Sequence, residues 1–166
     1  MDIYTKDGKL TGRTIERGED KGPDGFTMGV HAFIYDEKGR FLLQKRAEDK
    51  KFRPGQWEIT MGHVLAGETA FECVLREVKE ELGVVLPAEN FVKLYRWVDW
   101  ESHMHTEIFF VRADLGESAL TLQKEEVIGV QWVSKEEMRR FVGNMDYRPE
   151  NYKAVVASYI RDCVDE

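Results

Sequence analysis

The stretch Gly62 to Val84, GHVLAGETAFECVLREVKEELGV, constrains the fold more than any other part of the chain. Thr69 is a candidate N-cap with Glu72 three residues on, the form of a capping box, and Gly83 stands where a helix would stop. Between them Phe71, Leu75, Val78 and Leu82 recur on one stripe at about 100° per residue, which predicts an amphipathic helix. Glu77, Glu80 and Glu81 share another face at spacings i, i+3 and i+4, with Cβ atoms roughly 5–6 Å apart.

Those carboxylates are badly placed for stability. Like-charge pairs at this spacing cost about 0.2–0.5 kcal/mol each, and a helix C-terminus disfavours negative charge by a similar amount. Lys79 and Arg76 offset this only in part. Two readings follow from helix geometry: a solvated acidic face, or a site where a divalent cation supplies the missing positive charge. Oxygen-only ligands would select a hard ion, Mg²⁺ or Mn²⁺, over zinc.

The 166 residues suit one domain with an ordinary core, so residues 1–166 are expected to form a single unit. Apolar residues make up 42% and charged residues 33% with only four Pro, a soluble globular composition. With 24 basic and 31 acidic residues the formal charge is −7, which argues against nucleic acid as a bulk partner. The first residues, MDIYTKDGKL, have no apolar core of a leader, and no run approaches a membrane span, so a cytoplasmic protein without a membrane partner is expected. Cys73 and Cys163 are too few and too far apart for a zinc ribbon or a disulfide framework.

In chain order, residues 2–16 carry Asp7-Gly8 between short runs, a hairpin signal, and residues 17–25 are a polar loop; this N-terminal addition is too small to stand alone. Strands are predicted at 26–35, 41–46 and 57–61. The loop between the last two adds Lys50, Lys51 and Arg53 to Lys45 and Arg46. It is either a solvated basic loop or a clamp for polyphosphate, with Arg46 the best-anchored cation. Strands at 91–98 and 106–113 flank a polar turn carrying Trp97, Trp100, His103 and His105. The tryptophans are core or edge packing, or a platform for a substrate; the histidines are surface or supporting residues. A strand at 127–133, a capping-box helix from Ser134 to about Phe141 and an amphipathic helix after Pro149 complete a mixed sheet packed between helices.

Gly62, Glu68, Arg76, Glu77, Val78, Glu80, Glu81, Gly83 and Val84 fill every fixed position of G-x5-E-x7-R-E-U-x-E-E-x-G-U, so the stretch resembles the Nudix box. Pro54-Gly55-Gln-Trp57 resembles the lead-in common before such boxes, with Met61 standing where many members have a second glycine, a departure expected to narrow the backbone approach. The resemblance implies an α/β/α Nudix sandwich and a hydrolase that cleaves a nucleoside diphosphate linked to another moiety, acting as a monomer or homodimer. It implies Mg²⁺ or Mn²⁺ held by Gly62, Glu80 and Glu81, with Glu77 as general base or metal-water ligand. Arg76 would hold that carboxylate, Glu68 would support the loop and pair with Arg76, and Glu126 would be a helper. Arg46, Lys45 and Trp97 are the expected substrate contacts, and Cys73 a small residue packed under the site.

Two rivals accompany this reading. Trp57-Glu-Ile-Thr-Met-Gly62-His63 is similar to the stretch around the catalytic Cys of isopentenyl-diphosphate isomerases, but Met61 takes the approximate Cys position and a thioether cannot transfer protons. A non-catalytic nucleotide-sensing Nudix module would be expected to lose box carboxylates, and this chain has lost none.

Overall fold

In the computed structural model, residues 1–115 and 119–162 are described; Cys163 lies outside them. The strands are β1 (Asp2–Tyr4), β2 (Leu10–Thr14), β3 (Thr27–Tyr35), β4 (Phe41–Arg46), β5 (Trp57–Glu58), β6 (Thr60–His63), β7 (Phe91–Asp99), β8 (Met104–Arg112) and β9 (Val127–Val133). The helices are α1 (Ala70–Leu82), α2 (Lys135–Gly143) and α3 (Glu150–Asp162).

β3 is central, and its residues 27 to 34 are buried without a break, as a strand covered on both faces requires. It pairs in parallel with β8 along its whole length. Its other edge is shared: β4 meets it only at Tyr35–Phe41, while β6 pairs antiparallel with residues 29–32. β4 therefore diverges from β3 and carries β9 on one edge and β5 on the other. The strand predicted at 57–61 is two short strands because it changes partner between Glu58 and Thr60.

One core lies between α1 and the sheet, where Val74, Val78 and Leu82 meet Val30, Ile34, Leu42 and Phe109. The second lies on the opposite face, where Met138, Tyr152, Val156 and Ile160 of α2 and α3 cover Phe33, Phe41, Ile59 and Phe110. The result is the expected α/β/α sandwich around a mixed sheet. The Asp7-Gly8 hairpin is present, with Gly8 at φ 77°, and docks through the Tyr4–Phe26 bridge and an Asp2 Oδ2 that accepts from the Gly67 amide at 2.8 Å.

The capping box at Thr69 forms as the sequence implies, with Thr69 and Glu72 each accepting from the other's amide. The buried side of α1 differs from the expected stripe: it comprises Ala70, Cys73, Val74, Val78, Glu81 and Leu82, while Phe71 is 37% exposed. Seven residues on from Val74, Glu81 is rotated only about 20° from it, so it enters the core side with the aliphatic residues. Gly83 closes the helix at φ 72°, and Thr121 and Gln123 amides donate to the Leu82 and Glu81 carbonyls at 2.9 and 3.2 Å. A Cβ at Gly83 would lie 2.5 Å from the Thr121 carbonyl oxygen. Gly83→Ala is therefore expected to cost about 1–3 kcal/mol, through left-handed strain and this contact together, against about 1 kcal/mol for Thr69→Ala. Urea denaturation of both variants checks the order; Gly83→Ala matching the wild type would show that residues 119–126 move freely off the helix end.

Candidate active site

Arg76 is the centre of the polar face of α1. Its Nε and Nη2 donate to the two oxygens of Glu68 at 2.8 and 3.0 Å, a bidentate pair, while Nη1 donates to Glu77 Oε1 at 2.8 Å and Glu80 Oε2 at 3.1 Å. Nη2 also reaches the His63 carbonyl at 3.2 Å, tying the helix to the end of β6. Burial would raise the Glu68 pKa, but the bonds from Arg76 and the Leu65 amide outweigh it and hold the carboxyl below its ordinary value. Four of the residues assigned to the site from the box are thus joined through one guanidinium.

Gly62 faces Glu77 so closely that a Cβ there would be 2.2 Å from the carboxyl carbon. The glycine is needed because the carboxylate lies flat against the β6 backbone. Burial raises the Glu77 pKa despite Arg76. Met61 does not narrow this approach as expected, because side chains alternate along a strand and its sulfur lies on the other face, beside Arg148.

Glu81 is 6% exposed and accepts from Gln44 Nε2 at 2.7 Å, and Gln44 Oε1 accepts from Thr60 Oγ1 at 3.1 Å. Burial, with Glu77, Glu58 and Glu126 adding negative charge, pushes its pKa up to about 8. Glu58 is a residue the sequence reading missed. It pairs with Gln44 across β4 and β5, which puts both side chains on the α1 face. Arg46 Nη1 donates to Glu58 Oε1 at 2.5 Å and its Nε to the Phe52 carbonyl at 2.9 Å, while Glu58 Oε2 is buried without a partner. The available signal was a carboxylate sharing a strand face with Thr60, two residues on. Glu126 is also brought in: its carbonyl accepts from the Ala47 amide and its carboxylate pairs with Lys50.

Lys45 lies on the other face, its Nζ 3.6 Å from Glu48. Trp97 corrects the expectation of a substrate contact: it is 5% exposed, in the second core, with its ring 5.3 Å from that of Tyr152. The residue alternates toward α3, so its surface is already covered. His105 is likewise not a surface residue, because β8 begins at Met104 and buries it with Nε2 on the Thr5 carbonyl at 2.9 Å. Cys73 is fully buried and its thiol pKa is pushed up by burial and by Glu68 and Glu77, which makes it inert packing.

Among the described residues no three His, Cys, Asp or Glu side chains are already gathered as a metal site. Arg76 draws Glu77 and Glu80 toward itself. The donor set nevertheless suits a hard divalent ion: it is all oxygen, and among the described residues Glu81 is a buried carboxylate with no cation paired to it and Glu58 Oε2 is an orphaned buried acceptor.

Comparison with known proteins agrees with this geometry. Residues 25–155 match the NUDIX domain family model. An uncharacterised Nudix hydrolase of Listeria monocytogenes is 34% identical over 149 residues, covering 89% of this chain and 87% of that one. An isopentenyl-diphosphate Delta-isomerase of Streptomyces coelicolor is 31% identical over 142 residues, covering 83% and 72%. Among solved structures, DR0079 of Deinococcus radiodurans superposes with a TM-score of 0.72 over 98% of this chain and 97% of that one, at 20% identity, and supports the fold. The chain belongs to the Nudix family, as a Nudix pyrophosphohydrolase. Among the described residues no helix is long and apolar enough to cross a membrane.

The raised pKa of Glu81 has a stability consequence that needs no ligand. The folded state keeps a proton on Glu81 that the unfolded chain releases above about pH 4.5, so stability present below that pH is lost as pH rises through about 8. In chelator, Glu81→Gln is expected to gain on the wild type between pH 5 and pH 8 by roughly 1–3 kcal/mol. Thermal unfolding at three pH values reads this; a difference that stays flat with pH would show that Glu81 is ionised throughout.

Proposed function

We propose that this enzyme is a divalent-metal-dependent hydrolase of the pyrophosphate bond in a nucleoside diphosphate linked to another moiety, working as a single domain over residues 1–166. The observation that carries this reading is the set of Glu77, Glu80 and Glu81 on one helix, pressed against Gly62 and organised by Arg76.

In this reading the Gly62 carbonyl, Glu80 and Glu81 hold Mg²⁺ or Mn²⁺, with Glu77 beside them. When bound there, such an ion would supply neutralisation of phosphoryl charge and acidification of water. Glu77 would accept the proton of the attacking water at the oxygen not engaged by Arg76, and burial, which raises its pKa, makes it a stronger base. Arg76 fixes the orientation of Glu77 and, through Glu68, the loop before α1. Arg46 holds Glu58 against the buried polar face, so that Glu58 and Glu126 extend the carboxylate cluster around Glu81. Arg46 remains the candidate cation for the outer phosphate oxygens, while Lys45, on the other face of β4, does not reach them.

The likeness to isopentenyl-diphosphate isomerases favours a second reading, and Met61 argues against it. A methionine there offers no proton to move, and its sulfur is already 3.8 Å from Arg148 Nη2. Incubation with isopentenyl diphosphate and Mg²⁺ is expected to give no isomer; formation of dimethylallyl diphosphate would replace hydrolysis as the primary reading.

Glu77→Gln is expected to lower kcat by about 10²–10⁴ with KM little changed, measured with Mg²⁺ on the best substrate of a diphosphate panel. A fully active Glu77→Gln enzyme would move the base elsewhere, to Glu126 first.

A further inference from the structure

The face of β6 turned away from α1 carries Met61 and His63, and arginines from two distant segments converge on it. Arg148, in the connection between α2 and α3, donates from Nη2 to His31 Nε2 at 3.0 Å. Three rings surround its guanidinium carbon, Tyr147 at 5.2 Å, Tyr152 at 5.5 Å and Trp97 at 5.9 Å. Arg17, in the loop after β2, places Nη2 3.0 Å from His63 Nδ1. Met61 and His63 are same-face neighbours about 7 Å apart along the strand, and each has one of the two guanidinium groups against its side chain.

Neither arginine forms an ion pair among the described residues, although the protein carries 31 acidic residues against 24 basic ones. A guanidinium can only donate, so His31 Nε2 and His63 Nδ1 must accept, and the His31 proton sits on Nδ1, facing Tyr152 Oη at 2.7 Å. Both imidazoles are therefore neutral: they orient the arginines without cancelling their charge. Asp99 senses the charge of Arg148, but its Oδ1 accepts from the Glu101 and Ser102 amides, each at 3.0 Å. Arg148 Nε and Tyr147 Oη are buried without hydrogen-bond partners among the described residues, two unused donors at one cation. The neighbouring Arg53, stacked 4.0 Å over Tyr147, differs in having Asp146 at 2.9 Å. Oriented guanidinium groups held apart from carboxylates are the arrangement that receives phosphate.

We propose that Arg148 and Arg17 form a receptor for the terminal, unesterified phosphoryl group of the substrate, on the face of β6 opposite Glu77. β6 pairs with β3 along one edge only, so a ligand passing the open edge at Gly62 reaches both faces. Resting on the hydrolase reading above, this narrows the moiety linked to the nucleoside diphosphate to a further phosphate with a free terminal phosphoryl group, in preference to a sugar or a second nucleotide.

The test begins without metal and without turnover. Calorimetry in chelator with inorganic pyrophosphate is expected to show binding by the wild type and affinity about 10-fold or more weaker in Arg148→Gln and in Arg17→Gln. Arg161→Gln, which removes an equal charge at the far end of α3, should bind as the wild type does. Arg17 is an exposed loop residue, so its variant decides the matter even if Arg148→Gln unfolds. With Mg²⁺, Arg17→Gln should raise KM about 10-fold for a nucleoside triphosphate and leave it unchanged for the corresponding nucleoside diphosphate esterified with a sugar. No pyrophosphate binding by the wild type, or equal affinity in Arg17→Gln, overturns the receptor. A wild type that binds pyrophosphate but hydrolyses neither compound overturns the hydrolase reading and leaves the receptor standing.

Discussion

The guanidinium of Arg76 is the interaction on which the site depends. Glu68, Glu77 and Glu80 come from a loop and two turns of one helix, and without a shared cation they would repel one another at close range. Two of the three are largely shielded from water, and removing one partner from a shielded pair leaves a stranded charge at a cost of about 3–5 kcal/mol. The same side chain reaches the His63 carbonyl, so it also sets the distance between α1 and β6. That distance is what lets Glu77 lie on Gly62, and it explains why residue 62 has no side chain.

Glu81 belongs to a different environment although it is one residue from Glu80. It points into the layer between helix and sheet, where Gln44, Thr60 and Glu58 form a polar stripe across β4, β5 and β6. The stripe exists because β4 leaves β3 after one pair, at Tyr35–Phe41, and opens room for the two short strands that carry Glu58 and Thr60. Burial raises the pKa of a carboxylate in that layer unless a cation joins it, whereas Glu80 stands half in solvent. Neighbouring acids on one helix therefore differ in character through rotation alone.

The parts of this fold that could be read from sequence are those with local causes. Thr69 and Glu72 start α1, Gly83 ends it, and Asp7-Gly8 turns the hairpin, each through contacts within a few residues. The strand positions followed from apolar runs, that of β3 among them. What could not be read depends on register between distant segments. Glu58 gains meaning only when β5 pairs with β4 beside Gln44, and His105 is buried only because the N-terminal hairpin folds over it. Trp97 was ambiguous between packing and recognition until α3 was placed against it. Arg148 has Tyr147 and Tyr152 close in sequence, but its other partners His31, Met61 and Trp97 lie on three different strands.

These two kinds of determinant divide the labour around β6. One face is governed by a contiguous stretch of sequence that gathers carboxylates, and an arginine within the stretch holds them in order. The other face is assembled from remote segments, and there neutral histidines hold arginines. A net charge of −7 makes the second arrangement the harder to maintain, because carboxylates elsewhere on the surface compete for any free guanidinium. Imidazole partners and a cage of aromatic rings keep Arg148 from that competition, since each fixes its position without supplying negative charge. A strand four residues long thus separates an acidic face from a cationic one, and Gly62, lacking a side chain, is the point where the two come closest.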